Sequence, residues 1–134
     1  MTDRFGAEDL QLLRDAREVD IETRAGPDAP VHRTTIWVVV DDQDRALIRT
    51  YQGPNSRWYR EVIAEPDCVL HVTGRALRVR VVPAADPERI AAYSAAVQQK
   101  YASSRSTQAM LADDLLPTTL ELLPADSASV LRYP

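Results

Sequence analysis

The chain has 134 residues, 45% of them hydrophobic and 27% charged, which is the make-up of one globular domain and excludes a disordered tail. Its formal charge of -4, with acids and bases interspersed, excludes the basic stripe that nucleic-acid binding calls for. The longest apolar run, Ile36 to Val40, is strand-sized and far below the roughly 20 residues of a membrane helix, so no membrane span is expected.

Met1 to Gly6 has neither the basic flank nor the apolar core of a signal peptide, and Cys68 is the only cysteine. No internal disulfide can form, which suits a reducing compartment, and the cytoplasm is the expected location. A lone cysteine reads as a small buried hydrophobe. Fifteen of the sixteen basic residues are arginine, Lys100 being the exception, and arginine supplies planar forks suited to phosphate. With no repeat and no linker, residues 1–134 read as a single domain.

Ala7 to Arg17 reads as a short helix, with Leu10, Leu13 and Arg17 on one face and acids in the first turn. Val19 to Arg24 alternates as a half-buried strand, and Ala25 to Pro30 turns. Val31 to Asp41 is the strongest strand. His32, Thr34, Ile36, Val38 and Val40 share the face expected to look inward. Arg33, Thr35 and Trp37 share the other with Val31 and Val39, a mixture suited to a ligand or a partner subunit. Arg45 to Tyr51 is the next strand, antiparallel because the connection is short. After the turn at Gly53-Pro54, Asn55 or Ser56 caps a helix to about Ala64.

Cys68 to Val72 and Arg75 to Val82 form a hairpin across Thr73-Gly74. Asp86-Pro87-Glu88 starts a helix that runs to about Tyr101, with Ile90, Tyr93, Val97 and Tyr101 inward and Ser94 on the same face. Ala102 to Thr107 is expected to be a mobile loop. Thr118 to Leu123 and Ser129 to Tyr133 read as closing strands. Short connections in succession favour an antiparallel sheet curled into a barrel, so the class is mainly β with α (α+β).

The stretch from Arg45 to Arg60 carries the clearest chemistry. A strand ends in Arg49-Thr50-Tyr51, turns, and enters a helix at Ser56-Arg57. A helix N-terminus offers unpaired N–H groups and a positive dipole end. With the Ser56 hydroxyl and the Arg49 and Arg57 forks, these groups can hold a phosphate. The bland alternative is a capping serine and two surface arginines.

Here the residues carry a likeness. Arg33-Thr34-Thr35-Ile36-Trp37, Leu47 to Tyr51, Arg57-Trp58-Tyr59, Pro66 and the hairpin Val72-Thr73-Gly74-Arg75 resemble the split β-barrel superfamily. That group holds the pyridoxamine-phosphate-oxidase-like FMN proteins and the deazaflavin-dependent nitroreductases. The likeness covers roughly residues 19 to 82 and looks closest to an uncharacterised conserved-domain family within the group.

The resemblance implies a split antiparallel β-barrel with a few flanking helices. It also implies a homodimer with FMN or a deazaflavin coenzyme in a groove near the subunit interface. In FMN members the strand matching Arg33, Thr34, Thr35 and Trp37 runs under the flavin. The turn matching Arg49, Thr50, Ser56 and Arg57 holds its phosphate. In deazaflavin members a tryptophan-tyrosine pair resembling Trp58-Tyr59 begins the helix. Two departures stand out. Trp58 replaces the lysine of many FMN members, and Arg24-Ala25-Gly26-Pro27-Asp28 replaces the nitroreductases' glycine-arginine-serine-glycine signature.

The expected function is therefore a flavin- or deazaflavin-dependent oxidoreductase acting on a small molecule. The alternative is a split barrel that binds a ligand or dimerises without catalysis. Tyr51, Tyr59 and Tyr101 are candidate substrate contacts, although buried tyrosines are more often structural. A metal site is not expected, because Cys68 and His71 lie three apart on a strand and point to opposite faces. A haem protein would have only His32 or His71 as a single axial ligand. No nucleophile elbow, P-loop or dinucleotide fingerprint occurs.

Overall fold

The computed structural model describes residues 4–125. Among these residues seven strands form one antiparallel sheet: β1 Val19–Thr23, β2 His32–Ile36, β3 Val39–Val40, β4 Ala46–Ile48, β5 Asp67–Val72, β6 Arg75–Pro83 and β7 Leu120–Pro124. Their spatial order is β2-β1-β5-β6-β7-β4-β3. The helices are α1 Ala7–Asp15, α2 Arg57–Ala64, α3 Pro87–Lys100 and α4 Ser106–Met110, with a 3-10 helix at Asp113–Thr118. Among the described residues no helix is long and apolar enough to cross a membrane.

The topology forces the curl. β2 and β3 are the two edges of the sheet, yet only Trp37 and Val38 separate them in sequence. An extended chain spans at most about 3.6 Å per residue, so the edges lie within about 11 Å of each other. The sheet must therefore roll up, and it stays split along the seam where those two residues cross. At the far side the β5–β6 hairpin closes through Thr73 and Gly74, at φ 48° and 79°. Two consecutive positive φ values suit the right-handed strand twist, and glycine takes the second without strain.

Burial on both faces explains the apolar run that marked this region. Val38, Ala46 and Ile48 join the barrel core with Ile21, Leu70, Val72, Val79 and Leu122. Leu10 and Leu13 of α1 and Trp58 and Val62 of α2 close that core. Val39 and Leu47 face the opposite way, onto Tyr93, Val97 and Tyr101 of α3 and Met110 of α4. A strand pair covered on both faces reads as continuous hydrophobicity rather than alternation.

Several expectations are corrected. The single strand over Val31 to Asp41 is two strands, because the chain leaves β1 after Ile36 to pair with β4. The alternation slips at that break, so Val38 and Val39 are both fully buried. The strand over Arg45 to Tyr51 is only Ala46–Ile48, since Arg49 and Thr50 turn into side-chain bonding. Ser106 and Thr107, expected in the loop from Ala102, begin α4. The strand expected at Ser129 to Tyr133 lies outside the described residues. Arg17, grouped with Leu10 and Leu13 on the first helix, lies past its end and is exposed, and Thr118 belongs to the 3-10 helix while β7 begins at Leu120. As expected, Asp86 caps α3 by accepting from the Arg89 N–H at 3.1 Å, and Tyr93 and Val97 are buried on that helix.

Tyr93 carries a testable anomaly. Its ring is fully buried, and among the described residues its hydroxyl has no hydrogen-bond partner. Burying an unpaired hydroxyl costs on the order of 1–3 kcal/mol. Tyr93→Phe is therefore expected to stabilise the protein by about 1 kcal/mol, read as a higher urea midpoint with an unchanged m-value. A lower midpoint would show that the hydroxyl is bonded.

Candidate functional site

Among the described residues β2 pairs with β1 along one side and has no strand on the other. On an edge strand, alternate residues turn their N–H and C=O groups away from the ladder. That free side forms one wall of a cavity of about 400 Å³, lined by Thr34, Thr35, Ile36 and Trp37. Facing it are Arg49, Tyr51 and Gln52 from the segment after β4, Trp58 of α2, Ser106 and Met110 of α4, and Glu18.

Trp37 is a fixed platform. Its indole stacks on the Tyr101 ring, with centroids 3.9 Å apart and planes 3° from parallel. Tyr101 is itself anchored, its hydroxyl donating to the Arg17 carbonyl at 2.7 Å. The neighbouring Lys100 ammonium donates to the carbonyls of Leu13 and Val38, both at 2.8 Å. The end of α3 thus pins α1 and the backbone just after Trp37. Burial lowers the Lys100 pKa to about 8, against the pull of Asp15. Trp58 enters the groove from the first turn of α2, edge-on to Tyr59.

The phosphate cradle foreseen at Arg49 to Arg57 is arranged differently. Arg49 and Thr50 are neighbours on extended chain, and their side chains go to different places. Arg49 crosses under α3 and α4. Its Nε donates to Thr119 Oγ1 at 2.8 Å, Nη1 to the Met110 carbonyl at 2.7 Å and Ser94 Oγ at 3.3 Å, and Nη2 to the Ile90 carbonyl at 3.2 Å. Burial holds its pKa below the usual arginine value. Thr50 instead shares a 2.9 Å hydrogen bond with Ser56 Oγ and donates to the Gly53 carbonyl.

Ser56 occupies the cap position of α2, but its side chain makes no cap bond, because Thr50 holds it. Among the described residues, therefore, no side chain caps the first-turn N–H groups of α2. No acid sits in that turn, and Arg57 is exposed beside it.

Five of the nine residues singled out in the sequence thus line the groove: Thr34, Thr35, Trp37, Arg49 and Trp58. Thr50 and Ser56 are buried next to α2, and Arg57 stands at its entrance. Arg33 lies outside, 3.3 Å from Asp20, in an adjoining hollow of about 460 Å³ that shares Glu18 and Thr35 with the groove. Thr35 Oγ1 also donates to Asp20, at 2.8 Å. Sequence reasoning missed Ser106 and Met110, because α4 is too short and polar to show a helical period. It also missed Glu61. The buried Glu61 carboxylate accepts from Thr23 Oγ1 at 2.7 Å and His32 Nδ1 at 3.0 Å, which ties α2 to β1 and β2.

Cys68 lies at a smaller, separate cavity of about 220 Å³. Burial, with Asp67 and Glu22 nearby, pushes its thiol up to about 12. Only the thiolate reacts, so iodoacetamide should label the folded protein at pH 8 at least about a hundredfold more slowly than the unfolded chain. The folded rate should still be rising at pH 10. Equal rates in the two states would contradict the buried thiol.

Comparison with curated proteins gives no match. Three of the solved structures that share the architecture illustrate the likeness. The conserved hypothetical protein Rv2991 from Mycobacterium tuberculosis aligns with a TM-score of 0.61 at 17% identity, over 93% of this chain and 83% of that one. An F420-H2-dependent reductase aligns at 0.58 and 14%, over 80% and 93%. HutZ, a heme storage protein from Vibrio cholerae, aligns at 0.63 and 9%, over 92% of each. At such identities the likeness establishes the fold, which is the split β-barrel. A family model described as "uncharacterized protein conserved in bacteria" matches residues 9–122. With that match spanning most of the chain, and the curled sheet beneath it, the protein is a member of the DUF2255 family built on the split β-barrel fold.

Proposed function

We propose that this chain binds FMN or a deazaflavin coenzyme in the groove beside β2 and serves as an oxidoreductase for a small molecule. The observation that carries the reading is the Trp37 indole, backed in parallel by Tyr101, at the unpaired edge of β2. A planar heterocycle gains stacking from such a platform, and its polar rim can bond the free N–H and C=O groups of the edge strand. The uncapped start of α2, with exposed Arg57, supplies N–H groups, a positive dipole end and a fork for a phosphate.

A bound flavin or deazaflavin supplies the hydride chemistry itself. The residues of this chain orient and shield it. Trp37 would fix the plane, Trp58 and Met110 supply apolar wall beside the polar lining, and Glu61 ties α2 to β1 and β2. Among the described residues no histidine lines the groove, which favours a flavin-like ring over a haem needing a histidine ligand. A second copy of the chain is proposed to cover the Arg33–Thr35 side of β2, making a homodimer. A monomeric mass at micromolar concentration would remove that part.

The test is an absorption spectrum after incubation with FMN or with a deazaflavin coenzyme and dialysis. A retained band in either case supports the reading, and oxidation of the reduced coenzyme by added acceptors separates an enzyme from a binding protein. Loss of both coenzymes would overturn it. Arg57→Ala should weaken the retained coenzyme by about fivefold, the loss of roughly 1 kcal/mol expected for one exposed charged contact, without moving the thermal midpoint.

A further inference from the structure

We infer that the α4 end of the groove takes the carboxylate of a small-molecule substrate, with Arg49 as its anchor. The inference rests on the groove being the ligand site, and it adds the class of molecule that enters beside the coenzyme.

The argument starts from a charge without a counter-charge. Arg49 is 1% exposed, and every hydrogen bond from its guanidinium goes to a neutral oxygen. Among the described residues no carboxylate pairs with it, and its nearest electrostatic support is the Tyr93 ring, 4.2 Å away. Arg45, 7% exposed, shows how the same fold treats a structural buried arginine. It is paired with Asp41 at 2.7 Å and with Glu88 at 3.0 Å. Burying a cation without a partner is unfavourable, and a ligand that brings the missing negative charge removes that penalty.

The groove is where that charge meets open space, since Arg49 is among the residues of its wall. Arg49 lines the cavity and also braces its α3 and α4 side. A guanidinium has five N–H donors. Four hydrogen bonds to protein are made, so one N–H on Nη2 is left. Ser106, Tyr51 and Gln52, each with a polar side chain, also line the groove. One cationic N–H and a few neutral donors suit a carboxylate, whereas a phosphate is better matched by the α2 entrance. Glu18 is the single acid on the lining, and it is exposed, so water and salt screen it. Buried Arg49 is screened far less.

The test uses the full chain with two probes of equal shape, benzoate and benzamide, followed by the indole N–H resonances of Trp37 and Trp58. Benzoate is expected to bind at least about tenfold tighter, as a charged hydrogen bond to a buried partner would give. Ser106→Ala should weaken benzoate severalfold and leave benzamide unchanged. Arg49→Lys, if it folds, should keep part of the preference. Equal affinity for the two probes, or binding of neither, overturns the inference. If a coenzyme is retained while the probes bind equally, only this inference falls. If benzoate is preferred while no coenzyme is retained, the anion site stands and the coenzyme reading falls.

Discussion

Trp37→Ala should weaken binding of the flavin or deazaflavin by about 5- to 150-fold while leaving the fold intact. Truncating an aromatic platform under a stacked heterocycle costs roughly 1–3 kcal/mol, which spans that range. The residue is half-buried and stands at the split between β2 and β3, so the ladder pairs on either side survive its loss. Affinity should be read from coenzyme fluorescence, with circular dichroism as the control for folding. A dissociation constant within twofold of the parent would mean that the ring does not lie on Trp37.

Tyr101→Ala is the larger test of stability, with an expected loss of about 3–5 kcal/mol, the usual cost of deleting a buried aromatic. Its ring is 2% exposed, sits in the cluster between α3 and the β3–β4 pair, and backs Trp37. Deletion opens a cavity, orphans the Arg17 carbonyl and frees the indole to tilt. For a chain of this size the thermal midpoint should fall by roughly 10–20 °C. Tyr101→Phe keeps the stack and loses one hydrogen bond, so it should cost about 1 kcal/mol and leave coenzyme affinity unchanged. A Phe variant as damaged as the Ala variant would shift the weight from the stack to the hydroxyl.

Much of the frame was legible because local chemistry and tertiary packing agree. The Asp86-Pro87 start of α3, its Tyr93 and Val97 face and the Thr73-Gly74 turn follow from capping, periodicity and positive φ. Ile36 to Val40 looked like one strand because every residue in it is apolar. The sequence holds no mark of where the pairing switches from β1 to β4, a choice made by sheet closure. The partners of Arg49 and Ser56 were hidden for a related reason. Both fit a local phosphate cradle, yet Arg49 is drawn 41 to 70 residues away in sequence to Ile90, Met110 and Thr119, and Ser56 to Thr50. Long-range partners of polar side chains leave no periodic trace. Trp37 and Trp58 stand out through the family resemblance, and their convergence on one groove needs the curl of the sheet.

That convergence sets the most direct measurement. The protein has two tryptophans, and both line the groove. Titration with FMN and, separately, with a deazaflavin coenzyme should quench most of the intrinsic emission along a saturable curve for at least one of them. Trp37→Phe and Trp58→Phe should each remove part of the quenched signal. Emission that stays constant through both titrations would place the coenzyme elsewhere, or nowhere, on this chain.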